Sequence, residues 1–384
     1  MVKYILKRLG VMFPVFLLFL TALFFLLELQ PGDITQQFIG NPEIPPEAQD
    51  ILAARLGLDK PVAQRYVIYM LNFFRGEFGV SFSQYPREVG DLILSAIPRT
   101  LVLFLSATLL AYYIGFSTGK VLAWRRGKGT EYALTLGGVG LYTVFYPWFA
   151  LLMLWAFAFI LDIFPIGKFI DVDEWSGAQV AANTVFGRLI LSAIVATLLL
   201  LAIWTVSRRM STRVAGARVR RFGFWAVVAA TVGYWWFSSL RSYAGDIVHH
   251  TLLPTLTLAS VAFAGIMLLT RSSMLETLRE DYIMTARAKG LSEKVIRDRH
   301  AARNALLPVV TSLVLALAFV IGGGIITETI FSWPGIGSLL LDAVSLEDIP
   351  VAMGVLGFIG VLALIGHLVA DILYMYLDPR IRYQ

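Results

Sequence analysis

The sequence predicts an all-α polytopic membrane protein with about eight transmembrane helices and both termini in the cytoplasm. Three observations predict it. Hydrophobic residues make up 58% of the 384-residue chain and charged residues only 15%, where a soluble domain has about a quarter charged. Eight stretches of at least 19 residues contain no Asp, Glu, Lys or Arg. Alternating from a cytoplasmic N-terminus, the inside segments collect 23 of the 32 basic residues and the outside segments 18 of the 26 acidic ones, the asymmetry that orients membrane proteins.

The charge-free runs are 9–27, 100–119, 132–161, 189–207, 222–240, 247–270, 304–327 and 349–370. About 20 apolar residues of helix cross the hydrocarbon of a bilayer. Only helices and closed barrels satisfy their backbone there, and these runs are too long for barrel strands. The first follows Lys3, Lys7 and Arg8 but ends in LELQPGD without a small-x-small cleavage site, so it reads as a retained span. With it, residues 1–96 form a first span and an external cap. NPEIPPEAQD is Pro-rich, and LGLDKPVAQRYVIYMLNFFRGEFGVSF reads as short amphipathic helices broken by Gly and Pro. Residues 97–376 form the main transmembrane domain and 377–384 a cytoplasmic tail. The fourth and fifth runs enclose SRRMSTRVAGARVRRF, a hairpin with a basic cytoplasmic loop. Trp225, Trp235 and Trp236 suit its interfacial anchoring.

The loop at 272–305 differs from the others. MTARAKGLSEKVIRDRHAARNALLP (284–308) holds six basic and two acidic residues. Upstream, Met274, Leu278, Tyr282 and Ala286 recur every four residues, one apolar helical stripe. Gly290 supplies a stop because it tolerates the left-handed conformation. Lys289 and Arg287 in the last turn suit the helix dipole. Ser292 is placed to N-cap a second helix, running to about Ala305 and meeting the seventh span at Pro308. Leu291 is placed to staple onto Ile296. The product is a rigid knob between two spans, suited to passing force from a partner.

YIMTARAKGLS followed by RHAARNALLP resembles the cytoplasmic coupling motif of membrane subunits of binding-protein-dependent ABC importers, and more narrowly the dipeptide/oligopeptide/nickel permease family. Met284-Thr285-Ala286 stands where that motif has Glu-Ala-Ala, with Gly290 at its Gly and Leu307-Pro308 at its Leu-Pro. YILKRL, LGLDKP, FFRGEFGVSF, LPTLTLA, ETIFSWPGIGSLLLDAV and LDPRIRY agree in order. The resemblance covers about 1–167 and 246–383; residues 168–245 read as an extra transmembrane hairpin. It implies a type I ABC importer transmembrane domain. Its partners would be a homologous second permease subunit, two ATP-binding subunits, an extracytoplasmic solute-binding protein and membrane lipid. It implies ATPase coupling through Ala286, Lys289, Gly290, Leu291, Ser292, Arg297, Arg299 and Pro308. ATP and Mg are then used by the partner ATPases, and this chain is not an enzyme and binds no cofactor. The location is the cytoplasmic membrane of a prokaryote. Peptide is the leading cargo, with oligosaccharide or nickel as alternatives.

Few other residues carry chemistry. There is no cysteine, no phosphate-cradling G-x-x-x-x-G-K-[ST] and no H-E-x-x-H. Adjacent His249 and His250 point about 100° apart on a helix and chelate poorly. Basic residues spread over five loops do not form a nucleic-acid patch. GGVG (137–140) and GGG (322–324) suit helix packing. Candidates for the substrate pathway are Glu328 and Asp342, flanking an external loop, and His367 and Asp371, four apart in the last span. A self-sufficient secondary transporter or channel is the rival class; it would show internal repeats and paired mid-membrane charges, which this sequence lacks.

Overall fold

The computed structural model describes residues 2–29, 60–210, 212–320 and 324–377. The external segment 30–59, two glycines of GGG (Gly322 and Gly323) and the tail from 378 onward lie outside the described residues. Among the described residues the chain is helical, with one isolated bridge between Val80 and Glu88.

In chain order the helices are α1 (Val2–Glu28), α2 (Val62–Arg75), α3 (Val89–Trp124), α4 (Gly129–Thr143), α5 (Tyr146–Met153), α6 (Val172–Trp175), α7 (Ala182–Arg208), α8 (Arg213–Trp236), α9 (Arg241–Thr277), α10 (Asp281–Ala288), α11 (Glu293–Val295), α12 (Ala302–Val320), α13 (Ile325–Ile330), α14 (Ile336–Ser345) and α15 (Ile349–Leu377). A π-helical stretch, Leu154–Ile160, continues α5, and another, Ile296–Ala301, joins α11 to α12. The chain divides into two compact units, one of residues 1–153 with 254–384 and one of 154–253. The second encloses residues 168–245.

The spans differ in number from the sequence expectation. Six helices are long and apolar enough to cross a membrane among the described residues, or seven if a bent pair is one span. The bent pair replaces the run 132–161: α4 and α5 meet at 106°. Pro147 explains the break. In a continuous helix its missing N–H would orphan the carbonyl of Thr143 and its ring would collide with it; α4 ends at Thr143. The run 222–240 does form a helix, α8, but Arg218, Arg220 and Arg221 fall inside it and keep it below the apolarity of a span.

In the first unit, α3 is the central rod, 36 residues long, or about 54 Å at 1.5 Å per residue. It buries Ala107, Ala111, Gly115, Gly119 and Ala123, a strict four-residue repeat and hence one face. That face meets α9 at close quarters. A Cβ on Gly115 would lie 2.8 Å from the Phe263 carbonyl, and one on Gly119 2.5 Å from the Met267 carbonyl. Small residues let backbones approach this way in membranes. At the far end of α3, Val89, Leu92, Ile93 and Ala96 pack with Ile336, Leu340 and Ala343 of α14 and Val351, Ala352 and Val355 of α15. Phe16 and Leu20 of α1 pack on Phe73 of α2.

Candidate functional site

The elbow between α9 and α12 is built on a helix stop. α10 ends with Gly290 at φ 71°, a left-handed conformation that costs glycine little. The Leu291 N–H donates to the Ala286 carbonyl (3.3 Å) and the Gly290 N–H to that of Arg287 (2.9 Å). This is the Schellman pattern of paired 6→1 and 5→2 bonds, which satisfies carbonyls a helix end leaves open.

Beneath the turn lies a small core. Met274 from α9, Ile283 and Ala286 from α10, Ile296 and Ala301 from the π stretch, Ala302 and Ala305 from α12, and Ala123 from α3 are all buried together. Leu278 packs against this cluster. The turn is thereby seated on the ends of both long rods, α3 and α9. Two polar ties reinforce it. The Ser273 hydroxyl donates to the Ala305 carbonyl (3.0 Å). Asp298 takes both Nε and Nη2 of Arg297 (2.9 and 3.0 Å) and meets Lys120 of α3 at 3.2 Å. The Arg297 hydrogen bonds, then Lys120, hold the Asp298 carboxyl down to about 2 despite some desolvation.

Several details depart from the sequence reading. Met274 and Ala286 of the stripe are buried, but Tyr282 is exposed and accepts from Asn304 (2.8 Å), and its neighbour Ile283 is buried in its place. Ser292 has the extended backbone of an N-cap, but its side chain caps nothing. Leu291 is exposed rather than buried as a staple. The second helix does not stop near Ala305: α11, the π stretch and α12 form one rod, with the exposed Pro308 inside it. Ala286 is buried, whereas Lys289, Gly290, Leu291, Ser292 and Arg299 are all exposed on one continuous turn and helix start. Nothing lies within 4 Å of a Cβ placed on Gly290, so the tip of the elbow faces open space.

The pathway candidates scatter. Glu328 does not line a vestibule. It is fully buried and accepts from the Thr100 hydroxyl (2.7 Å) and from the Gly337 and Ser338 N–H groups (2.6 and 2.9 Å). It thus anchors the start of α14 to α3, beside the buried Trp333, whose ring N–H donates to the Arg99 carbonyl (3.2 Å). Asp342 is exposed on α14. Asp371 pairs with Arg8 of α1 through both oxygens (2.8 and 2.9 Å), which ties α15 to α1, and His367 is exposed on α15. Of GGVG, only Gly138 is buried, against Met267. His249 meets the Ile163 carbonyl (2.8 Å) and His250 the Asp246 carboxylate (3.0 Å). No group of three metal-ligating side chains forms among the described residues.

Sequence reasoning missed the Gly115–Gly119 crossing, although GFSTG shows its four-residue spacing openly. It also missed Glu131, buried at the start of α4. Arg271 of α9 donates to it through Nε (2.9 Å), and so does the Gly127 N–H (2.6 Å).

A bundle of membrane-length helices with one stiff charged elbow defines an integral membrane component. The sequence comparisons agree, and the chain belongs to the family described as "Binding-protein-dependent transport system inner membrane component", which residues 217–383 match. Residues 1–104 match the N-terminal part of such membrane components. The main match begins inside the 168–245 segment read from sequence as extra, so most of α8 belongs to it. The chain is 33% identical to the "Di/tripeptide transport system permease protein DppB" of Pseudomonas aeruginosa, 31% to the "Dipeptide transport system permease protein DppB" of Escherichia coli and 30% to the "Oligopeptide transport system permease protein AppB" of Bacillus subtilis; each comparison covers 100% of both chains.

Proposed function

We propose that this chain is a peptide-translocating permease subunit of an ATP-driven importer. In this reading it forms half of the pathway beside a homologous permease, with two ATPase subunits on the elbow side and a solute-binding protein delivering cargo opposite. Peptide as cargo is supported by the three relatives, all peptide permeases by name. The observation that carries the coupling reading is the seating of the elbow. Its exposed tip at 289–292 is fixed to the ends of α3, α9 and α12 through one buried cluster. A displacement imposed on the tip therefore moves three rods together, as a rigid-body switch requires. Gly290, Leu291, Ser292 and Arg299 are the contact surface. Ala286 holds the tip from beneath, and Arg297 holds Asp298. Nucleotide and Mg chemistry belongs to the partner subunits in this reading.

The test is reconstitution. Expressed with its neighbouring subunits, the chain should co-purify with a second permease and two ATPases, and the complex in proteoliposomes should import labelled di- and oligopeptides only with ATP and the binding protein. Uphill uptake by the isolated chain without an ATPase would refute the reading. Uptake of oligosaccharide or nickel but not peptide would keep the coupling and overturn the cargo.

A further inference from the structure

The α7–α8 hairpin of the second unit carries a charge pattern the transport reading leaves unused. Residues 175–245 contain eight arginines and no Lys, Asp or Glu. Five of the arginines with described side chains, Arg208, Arg209, Arg218, Arg220 and Arg221, flank the turn of the hairpin, and all five are exposed. Arg208 stacks over Trp204 (4.7 Å to the ring centre) and Arg220 reaches the Ser207 hydroxyl (3.4 Å). No carboxylate pairs with any of them among the described residues.

Their depth is informative. Between Arg188 and Arg208, α7 has 19 uncharged residues, about 30 Å of helix, which is the thickness of bilayer hydrocarbon. Its most apolar window has no buried residue in the structure, so its flanks are left for lipid. Arg208 and Arg209 thus sit at a headgroup layer. α8 returns alongside: Gly216 lies against the Ser207 carbonyl and Gly223 against the Ile203 side chain. Arg218, Arg220 and Arg221, between those two contacts, are therefore up to about one helical turn (~5 Å) deeper than Arg208. Simple orientation needs charge in the loop, not guanidinium groups beside the apolar part of the neighbouring helix. Guanidinium groups at that depth need an anion that resides there, and a phosphodiester matches their bidentate donor geometry. A soluble partner's carboxylates would meet Arg208 and Arg209 but not the deeper arginines.

We infer that the turn of this hairpin is a binding site for anionic phospholipid headgroups, with Arg218 and Arg221 holding phosphate at the acyl boundary and Arg208 and Arg209 above them.

Native mass spectrometry of the full chain tests this, after mild detergent extraction from membranes containing phosphatidylethanolamine, phosphatidylglycerol and cardiolipin. Wild type should retain the anionic lipids well above their membrane share. Arg218→Gln/Arg221→Gln and Arg208→Gln/Arg209→Gln should each lower that retention at least five-fold, and Arg188→Gln and Arg241→Gln, away from the turn, should not. In case a variant does not insert, wild type in nanodiscs gives a second reading: brominated phosphatidylglycerol should quench tryptophan fluorescence more than brominated phosphatidylcholine, and Trp204→Phe should remove most of the difference. Retained lipid that mirrors the membrane, or retention unchanged in both double variants, overturns the inference. So does loss of a co-purifying protein subunit with lipid retention intact, which assigns the arginines to that subunit.

Discussion

Replacing Gly290 separates the conformation of the elbow from its contacts. At φ 71° an L-residue other than Gly pays roughly 1–2 kcal/mol, with Asn the most tolerant. No neighbour adds a clash, since a Cβ there meets nothing within 4 Å. Gly290→Ala should therefore cost the turn about 1 kcal/mol and Gly290→Asn less. Gly290→Val, β-branched, should cost about 2 kcal/mol or more, comparable to the two Schellman bonds at about 1 kcal/mol each, so the turn opens. The buried cluster under it involves eight residues from four directions and keeps the protein folded. The assay is peptide imported per ATP hydrolysed in proteoliposomes holding the complete transporter. Asn should stay near wild type, Ala should fall modestly, and Val should hydrolyse ATP with little import while melting within a few degrees of wild type. Glu should act as Val does, by the same strain and by placing charge on the contact surface. Normal import by Val would show the turn is not the coupling element. Equal losses for Asn and Val would show that backbone conformation is not what matters at 290.

Three further outcomes follow from the packing. Gly119→Ala places a methyl 2.5 Å from the Met267 carbonyl and should destabilise the detergent-purified protein by about 1–3 kcal/mol, with Gly119→Leu worse; an unchanged melting temperature for both would mean α3 and α9 do not cross so closely. Lys120 and Asp298 are partly exposed, so a double-mutant cycle to Ala should give a coupling energy of about 1 kcal/mol or less, and several times that value would place the pair in a drier setting than the structure does. Asp348 is buried and one of its oxygens accepts from Ser81 and Ser83 hydroxyls and the Phe82 and Ser83 N–H groups at 2.6–3.0 Å. Asp348→Ala orphans these donors and should cost about 3 kcal/mol, seen as faster protease cleavage within 77–88; wild-type cleavage rates would refute it.

Spans were legible because desolvation leaves a long unbroken mark: no helix crosses hydrocarbon with many charges, so Phe13 to Leu26 or Val351 to Leu364 announce themselves. The stop at Gly290 was legible for a similar reason, since one residue type is nearly required there. What failed depended on partners far along the chain. Nothing local distinguishes Tyr282 from Ile283 as the buried residue; the core under the elbow includes Ala123, some 160 positions earlier, and it selects the face. Glu328 looked like a vestibule charge because its neighbours in sequence are loop-like, yet Thr100 and two backbone N–H groups of α14 enclose it. Asp371 looked like half of a pair with His367, and Arg8 supplies its ion pair from the opposite end of the chain.

The same contrast separates the two basic segments. Around the elbow, two arginines have carboxylate partners within the chain: Arg297 with Asp298, and Arg287 with Glu293 at 3.4 Å. Charge there is neutralised within the chain at those two pairs, the apolar cluster below sets the shape, and in the proposed reading the exposed tip is the surface for a folded partner. At the α7–α8 turn no carboxylate lies within the segment, and the helices pack closely through Gly216 and Gly223. Unbalanced charge on a thin apolar hairpin has to be neutralised by something outside the chain, at the depth where the guanidinium groups sit. Balanced and unbalanced arginines therefore report different neighbours, and substitutions should sort the same way: Arg297→Gln should disturb the elbow through Asp298 with no change in retained lipid, and Arg221→Gln should change retained lipid with no change in the ATP-to-peptide ratio measured at saturating anionic lipid.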